Sequence, residues 1–197
     1  GDHYNFVMDS EGEFSFRDIK LLKEGVTVSA GEDFDFPAEV SSLPSNYSGP
    51  SIPFTVESST FIEFPSISTT GNQEKIDSAA IEKSTLFIRL NKPDGAKIKV
   101  NSFKIKFPIK DYETRVPIVL ETSSVENDLF GTDCYFDIND FFVVIEKNPL
   151  DPTKGGFTFD VEIAAEFEGG TINSGEKIGY DVTYTIFDHK VVYGTFT

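Results

Sequence analysis

From Phe157 to Glu168 the chain alternates: Phe157, Phe159, Val161, Ile163, Ala165 and Phe167 are apolar, and Thr158, Asp160, Glu162, Glu166 and Glu168 lie between them. A period of two puts one set on each side of an extended strand, whereas a helix would scatter both around its circumference. At about 3.3 Å per residue the strand is about 40 Å long, with one face in a core and carboxylates on the other. Gly155-Gly156 and Gly169-Gly170 bracket it as turn punctuation.

The same rhythm recurs in shorter pieces. Tyr4, Phe6 and Met8, then Phe14 and Phe16, Val26 and Val28, and Phe34 and Phe36 predict short strands separated by Gly12, Gly25 and Gly31. Ile52, Phe54 and Val56 predict another, followed by Phe61 to Phe64. Leu86, Ile88 and Leu90 lead into Pro93-Asp94-Gly95, which carries turn chemistry. Ile98 and Val100 then point inward with Lys97 and Lys99 outward. Beyond Asn101-Ser102 the parity reverses, with Phe103, Ile105 and Phe107 in and Lys104 and Lys106 out, which predicts a β-meander. Pro117 cannot donate to a ladder, so the strand near it is an edge strand or begins at the proline. Cys134, Phe136 and Ile138 alternate, Phe141 to Ile145 is apolar on both faces, and Val182, Tyr184 and Ile186 lead to a turn at Asp188-His189-Lys190 before a closing strand. A helical turn competes with a strand only at 18–24 and 74–83.

These elements predict an all-β protein: an antiparallel β-sandwich, immunoglobulin-like or jelly-roll-like, with room for two packed β domains. Residues 121–129 are the most linker-like stretch of the second half. They set a boundary between a β-sandwich at 1–120 and, at 121–197, a second β-rich half or a continuation of the same sandwich.

Composition supports a core without naming a chemistry. The chain has 197 residues, 39% of them hydrophobic, with 20 Phe and no Trp. Its formal net charge is −16, yet residues 75–115 hold ten bases against five acids. A chain this acidic is repelled by phosphate backbones and anionic lipid surfaces, which disfavours nucleic acid and peripheral membrane binding. The clustered Lys97, Lys99, Lys104 and Lys106 would repel one another across strands unless acids lie beside them, and the Asp160 to Glu168 row is the expected partner. No apolar run reaches the roughly 20 residues of a membrane helix, so no direct insertion of this segment is expected. Gly1-Asp2 reads as a processed end, which leaves room for a targeting segment or lipid anchor upstream of residue 1.

Candidate chemistry is sparse. Cys134 is the single cysteine, excludes an intramolecular disulfide, and by its alternation is a small buried hydrophobe rather than a nucleophile. Asp133, Asp137, Asn139 and Asp140 form a loose oxygen cluster whose spacing does not match a calcium loop, so they are read as strand-edge and turn residues. Asp160, Glu162, Glu166 and Glu168 could supply the carboxylate pair of a glycosidase, but any solvated strand face shows the same pattern. His3 and His189 lack a pattern of partners. Glycine-rich phosphate loops, Cys-x-x-Cys and His-Glu-x-x-His are absent from the sequence, so no cofactor, metal or catalytic residue is assigned.

From Ile76-Asp77-Ser78-Ala79-Ala80, through the turn at Asn91-Lys92-Pro93, to the strand closing on Phe107-Pro108, the chain resembles surface lipoproteins of gut bacteria. The resemblance implies a β-sandwich tethered outside the cell, at the bacterial surface or in the extracellular space, and implies no site residue. The resulting expectation is a non-enzymatic cell-surface or secreted protein for adhesion, assembly or capture of an extracellular glycan or protein. Its contacts are expected in the loops at 41–51, with Tyr47 as the named residue, and at 148–156. The alternatives are a secreted glycan hydrolase using paired carboxylates, and a fimbrial subunit that donates or accepts a strand.

Overall fold

A computed structural model describes residues 26–68, 75–111, 114, 116–130 and 134–195. The strands expected before residue 26, the helical turn at 18–24, His3 and Asp133 lie outside the described residues. The elements are β1 (Val26–Asp35), the single-turn α1 (Ala38–Ser41), β2 (Ile52–Ser68), β3 (Lys75–Asn91), β4 (Ala96–Asp111), β5 (Pro117–Thr122), β6 (Cys134–Val144), the two-residue β7 (Glu146–Lys147), β8 (Lys154–Gly170) and β9 (Lys177–Thr195).

All strand pairs are antiparallel. β1, β9, β3 and β6 lie side by side as one sheet, here sheet I, and β2, β8, β4 and β5 as the other, sheet II. The sheets join where Lys110 and Asp111 of β4 pair with Phe142 and Phe141 of β6. Leaving β7 aside, the first strand pairs with the last (β1–β9), the second with the next to last (β2–β8), the third with β6 and the fourth with β5. That inward-counting order is a hairpin wound around a barrel axis, the jelly roll. It resolves the two sandwich types expected from the sequence. Position 121 falls within β5, and strands from both sides of it share each sheet.

The core forms where the inward faces meet. β8 delivers Phe157, Phe159, Val161, Ile163, Ala165 and Phe167, all buried, as the alternation requires. Tyr180 and Tyr184 of β9 cross from sheet I to meet them. Tyr180 packs against Phe103 and Phe159 with ring centroids 6.4 Å away in each case, and Tyr184 meets Phe157 edge-on at 5.8 Å. Aromatic pairs of this kind contribute about 0.5–1.5 kcal/mol beyond area burial.

Four expectations need correction, and bulges or buried polar residues explain most of them. Asn101-Ser102 is not a turn: β4 runs unbroken, and Val100 pairs with Ala165 while Ser102 pairs with Ala164, so Asn101 is an inserted residue. One extra residue reverses parity without reversing the chain, which is why Val100 and Phe103 both point inward. The described part of 74–83, residues 75–83, is not helical but opens β3, whose register against β9 shifts repeatedly between Ile76 and Ser84. Ala79, Ala80 and Ile81 are buried in succession there, so a period of two could not show. Asp188-His189-Lys190 is likewise no turn but part of β9. The pieces at 52–56 and 61–64 form one strand, because Ser58 and Thr60 continue its inward-facing side.

Those two hydroxyls are held by Tyr180. Its hydroxyl lies 2.6 Å from Thr60 Oγ1 and 3.1 Å from Ser58 Oγ, and both residues donate to Glu32 on β1. The network ties the open edges of the two sheets together. Tyr184 differs: its buried hydroxyl has no partner of normal geometry. Ser84 lies beside it, its Oγ donating to the Ile138 carbonyl at 2.6 Å.

Burial raises both phenols above their ordinary pKa of 10.0, opposed less strongly by Ser58 and Thr60 for Tyr180 and by Ser84 for Tyr184. The folded chain therefore keeps protons that the unfolded chain releases. This contribution to stability is full below about pH 10 and declines above it. Alkaline titration should show phenolate absorbance from these two tyrosines appearing together with unfolding. Tyr184→Phe should raise the urea midpoint, since deleting an unsatisfied buried hydroxyl relieves about 1–3 kcal/mol of desolvation, while Tyr180→Phe should lower it.

Candidate functional site

Sequence reasoning weighed four groups for a functional role, and the structure distributes them over separate parts of the fold. The outward face of β8 is the first. In the ladder Lys99 stands opposite Glu166, Lys104 opposite Glu162 and Lys106 opposite Asp160, so the basic stripe does face the acidic row. Lys104 Nζ sits 3.4 Å from Glu162 and 3.6 Å from Glu121 of β5, and these two carboxylates, Glu121 foremost, raise its pKa. Asn101 donates to Glu166 at 2.9 Å and Ser59 to Asp160 at 2.6 Å. A shallow cleft of about 450 Å³ opens over this face, bordered by Glu57, Ser59, Lys106 and Asp160 among others. Asp160, Glu162 and Glu166 are engaged by neighbouring hydroxyl, lysine and amide groups, an arrangement that holds a mixed-charge sheet face in register.

Tyr47 is the second. Its backbone bridges Gly170 in both directions at 2.9 Å, its ring stacks on Phe167 at 6.0 Å, and its hydroxyl donates to the Pro50 carbonyl at 3.0 Å. Tyr47 thus clips the 41–51 loop to the end of β8, with its ring half-buried. The expected 148–156 loop ends at Thr153, since 154–156 open β8, and it is held elsewhere, by Asn148 donating to Glu63 at 2.8 Å and by Lys154 pairing with Glu63 at 2.8 Å. The two loops are fixed near opposite ends of β8, about 45 Å apart at about 3.3 Å per residue. They cannot line one site.

Cys134 is the third, 6% exposed in β6, where burial pushes its thiol pKa up. A thiol reagent should label it slowly in the native protein and promptly in denaturant; prompt native labelling would show that the strand opens. Asp137 and Asp140 are the fourth. Both lie within β6, Asp140 in the left-handed region at φ 57 and Asp137 accepting from Thr85 at 3.1 Å. Among the described residues no three His, Cys, Asp or Glu side chains are placed to hold a metal ion.

The surface that sequence reasoning missed is the outward face of sheet I. Tyr135 of β6 is 64% exposed and Phe187 of β9 is 53% exposed, while half-buried Phe87 lies on β3, the strand between theirs. Phe87 and Tyr135 pair across the ladder with ring centroids 5.2 Å apart, and the Arg89 guanidinium stands 5.9 Å over Phe87. Beside them runs a field of hydroxyls: Thr27 bonds to Thr185 at 3.1 Å and Ser29 to Thr183 at 3.0 Å. A signal was present in the sequence. Phe87, Tyr135 and Phe187 occupy the polar phase of their strands, where alternation calls for hydrophilic side chains.

No family model matches the chain, and no curated protein matches it. Solved structures similar to it include virus particles. The full particle of Israeli acute paralysis virus heated to 63 degrees matches at TM-score 0.36 and 8% identity, over 96% of this chain and 83% of that one. The native Kashmir bee virus virion at neutral pH matches at 0.38 and 10%, over 93% and 78%. The VP2 subviral particle of infectious bursal disease virus matches at 0.24 and 16%, over 83% and 32%. At such scores these likenesses carry no argument about activity, and the sandwich rests on the strand pairing itself.

Proposed function

We propose that the chain is a non-enzymatic, extracellular β-sandwich that captures a glycan or protein ligand on the outward face of sheet I. One observation supports this reading above others: Tyr135 stands in solvent against Phe87 and Phe187 stands in solvent on the same sheet face, whereas the large aromatics Phe103, Phe107, Phe157 and Phe159 are in the core. Exposed aromatic groups on a rigid sheet are characteristic of recognition surfaces. The resemblance of 76–108 to tethered surface proteins supports the extracellular setting. Tyr47 enters as the support of the 41–51 loop, so Tyr47→Ala lowers affinity only where that loop touches ligand.

The test presents the chain with a panel of extracellular glycans and surface proteins. Binding that weakens at least tenfold in Tyr135→Ala supports the proposal. Binding insensitive to both Tyr135→Ala and Phe187→Ala moves the contact to another face. Turnover of a polysaccharide, peptide or ester, abolished by Glu162→Gln or Asp160→Asn, overturns the reading in favour of the hydrolase.

A further inference from the structure

We infer that the ligand of the sheet I face is a neutral, extended glycan; this rests on the capture reading above and narrows it to one chemical class. Size argues first. The face spans three inter-strand gaps of about 4.8 Å from β1 to β6 and about six residues along β9, a projected area of roughly 300 Å². A stable protein partner covers about 800 Å² per side, so this patch is too small to anchor one. It is long enough for several sugar rings. Tyr135 and Phe187 are separated by two inter-strand gaps and four residues along the sheet, about 16 Å.

Chemistry argues second. A pyranose ring presents an apolar C–H face to an aromatic plane and directs its hydroxyls outward at the rim. Register places those two kinds of partner side by side: Ser29, Thr183, Phe87 and Tyr135 share one row, and Thr27, Thr185, Thr85 and Asp137 share the next. The ladder fixes the side chains at the period of the sheet, so a repeating ligand meets a repeating surface. Each threonine or serine hydroxyl both donates and accepts, and their mutual hydrogen bonds can be exchanged for bonds to a sugar at little cost.

Charge argues third. Arg89 stands opposite Asp181 in the ladder, and Lys83, Asp137 and Asp33 lie on the same face, so it carries charges of both signs. The chain as a whole carries −16, which repels polyanions. An uncharged polymer meets neither obstacle.

Affinity electrophoresis of the full chain through gels containing neutral polysaccharides (β-glucan, xylan, mannan, galactan) or anionic ones (polygalacturonate, chondroitin sulfate) separates the outcomes. At least one neutral glycan should retard the protein. Tyr135→Ala should weaken that binding at least tenfold, and Thr183→Val combined with Thr185→Val severalfold, with the urea midpoints of both variants close to the parent. Valine suits a strand as well as threonine, so the double variant keeps the fold. Retardation by polyanions alone, or Tyr135-dependent binding of a protein with no glycan bound, overturns this inference and leaves the capture reading standing. Neutral-glycan binding that ignores Tyr135 overturns the assigned face. No Tyr135-dependent ligand of any kind overturns both.

Discussion

Phe157→Ala is expected to lower the unfolding free energy by about 3–5 kcal/mol, the range for truncating a fully buried phenylalanine. Phe157 is at the centre of the packing between the sheets. Its ring lies 5.7 Å from Phe64 of β2, 5.8 Å from Phe107 of β4 and 5.8 Å from Tyr184 of β9. Those neighbours belong to strands pinned by ladders on both sheets, so they cannot collapse into the space left behind, and the cavity penalty adds to the lost transfer free energy. Native domains are stable by about 5–15 kcal/mol, so one such change removes a large share of the total. Urea denaturation should show a much lower midpoint with an unchanged slope. Phe187→Ala supplies the contrast. Its ring is 53% exposed, and the midpoint should shift by no more than about 0.5 kcal/mol equivalent. A large loss there would mean that Phe187 is structural, and the binding face would lose one of its ends.

The contrast between these two phenylalanines also marks what a one-dimensional pattern can reveal. Where a strand is paired on both sides and carries no insertion of its own, as β8 does from Phe157 to Phe167, period-two reading located every inward residue. It also predicted that the lysines of β4 would stand against the acids of β8, because opposite charges stabilise neighbouring strands. It failed where a ladder carries an insertion. Asn101 resembles a turn residue because a parity change in sequence looks the same for a turn and for a bulge, and only the partner strand tells them apart. It failed again where polar residues face inward. Ser58 and Thr60 interrupt the apolar phase of β2, and the reason is a tyrosine hydroxyl 120 residues away in sequence from Thr60.

The candidate site was harder to read for a related reason. Tyr47 was selected because it is aromatic and lies in a polar loop, yet a loop tyrosine can reach back to the core, as this one does onto Phe167. The binding face is assembled from β1, β9, β3 and β6, which are far apart in the chain and adjacent only through jelly-roll winding. No local window contains more than one of its aromatic residues. Phe87 and Tyr135 become a pair only when β3 and β6 are placed in register.

Gly170→Ala is expected to be nearly as damaging as the core truncation, for a backbone reason. Gly170 ends β8 at φ +96, in the left-handed region, where a non-glycine residue is strained by about 1–3 kcal/mol. A Cβ built there would sit 2.1 Å from the Gly95 carbonyl oxygen, a contact neither chain can tolerate. Relief requires moving the end of β8 away from β4, and overpacking of this kind costs about 1–3 kcal/mol more. The expected total is about 2–6 kcal/mol. The displacement would also break the two Tyr47–Gly170 backbone bonds at 2.9 Å, freeing the 41–51 loop from the sheet. Limited proteolysis should therefore cut the variant within 41–51 under conditions that leave the parent intact. Gly175→Ala separates the two causes. Gly175 has φ +84 but open space around its Cβ direction, so strain acts there without a clash and the loss should stay near 1 kcal/mol. Equal losses at the two glycines would mean that conformation alone matters at Gly170 and that the close approach of β4 does not hold the loop end together.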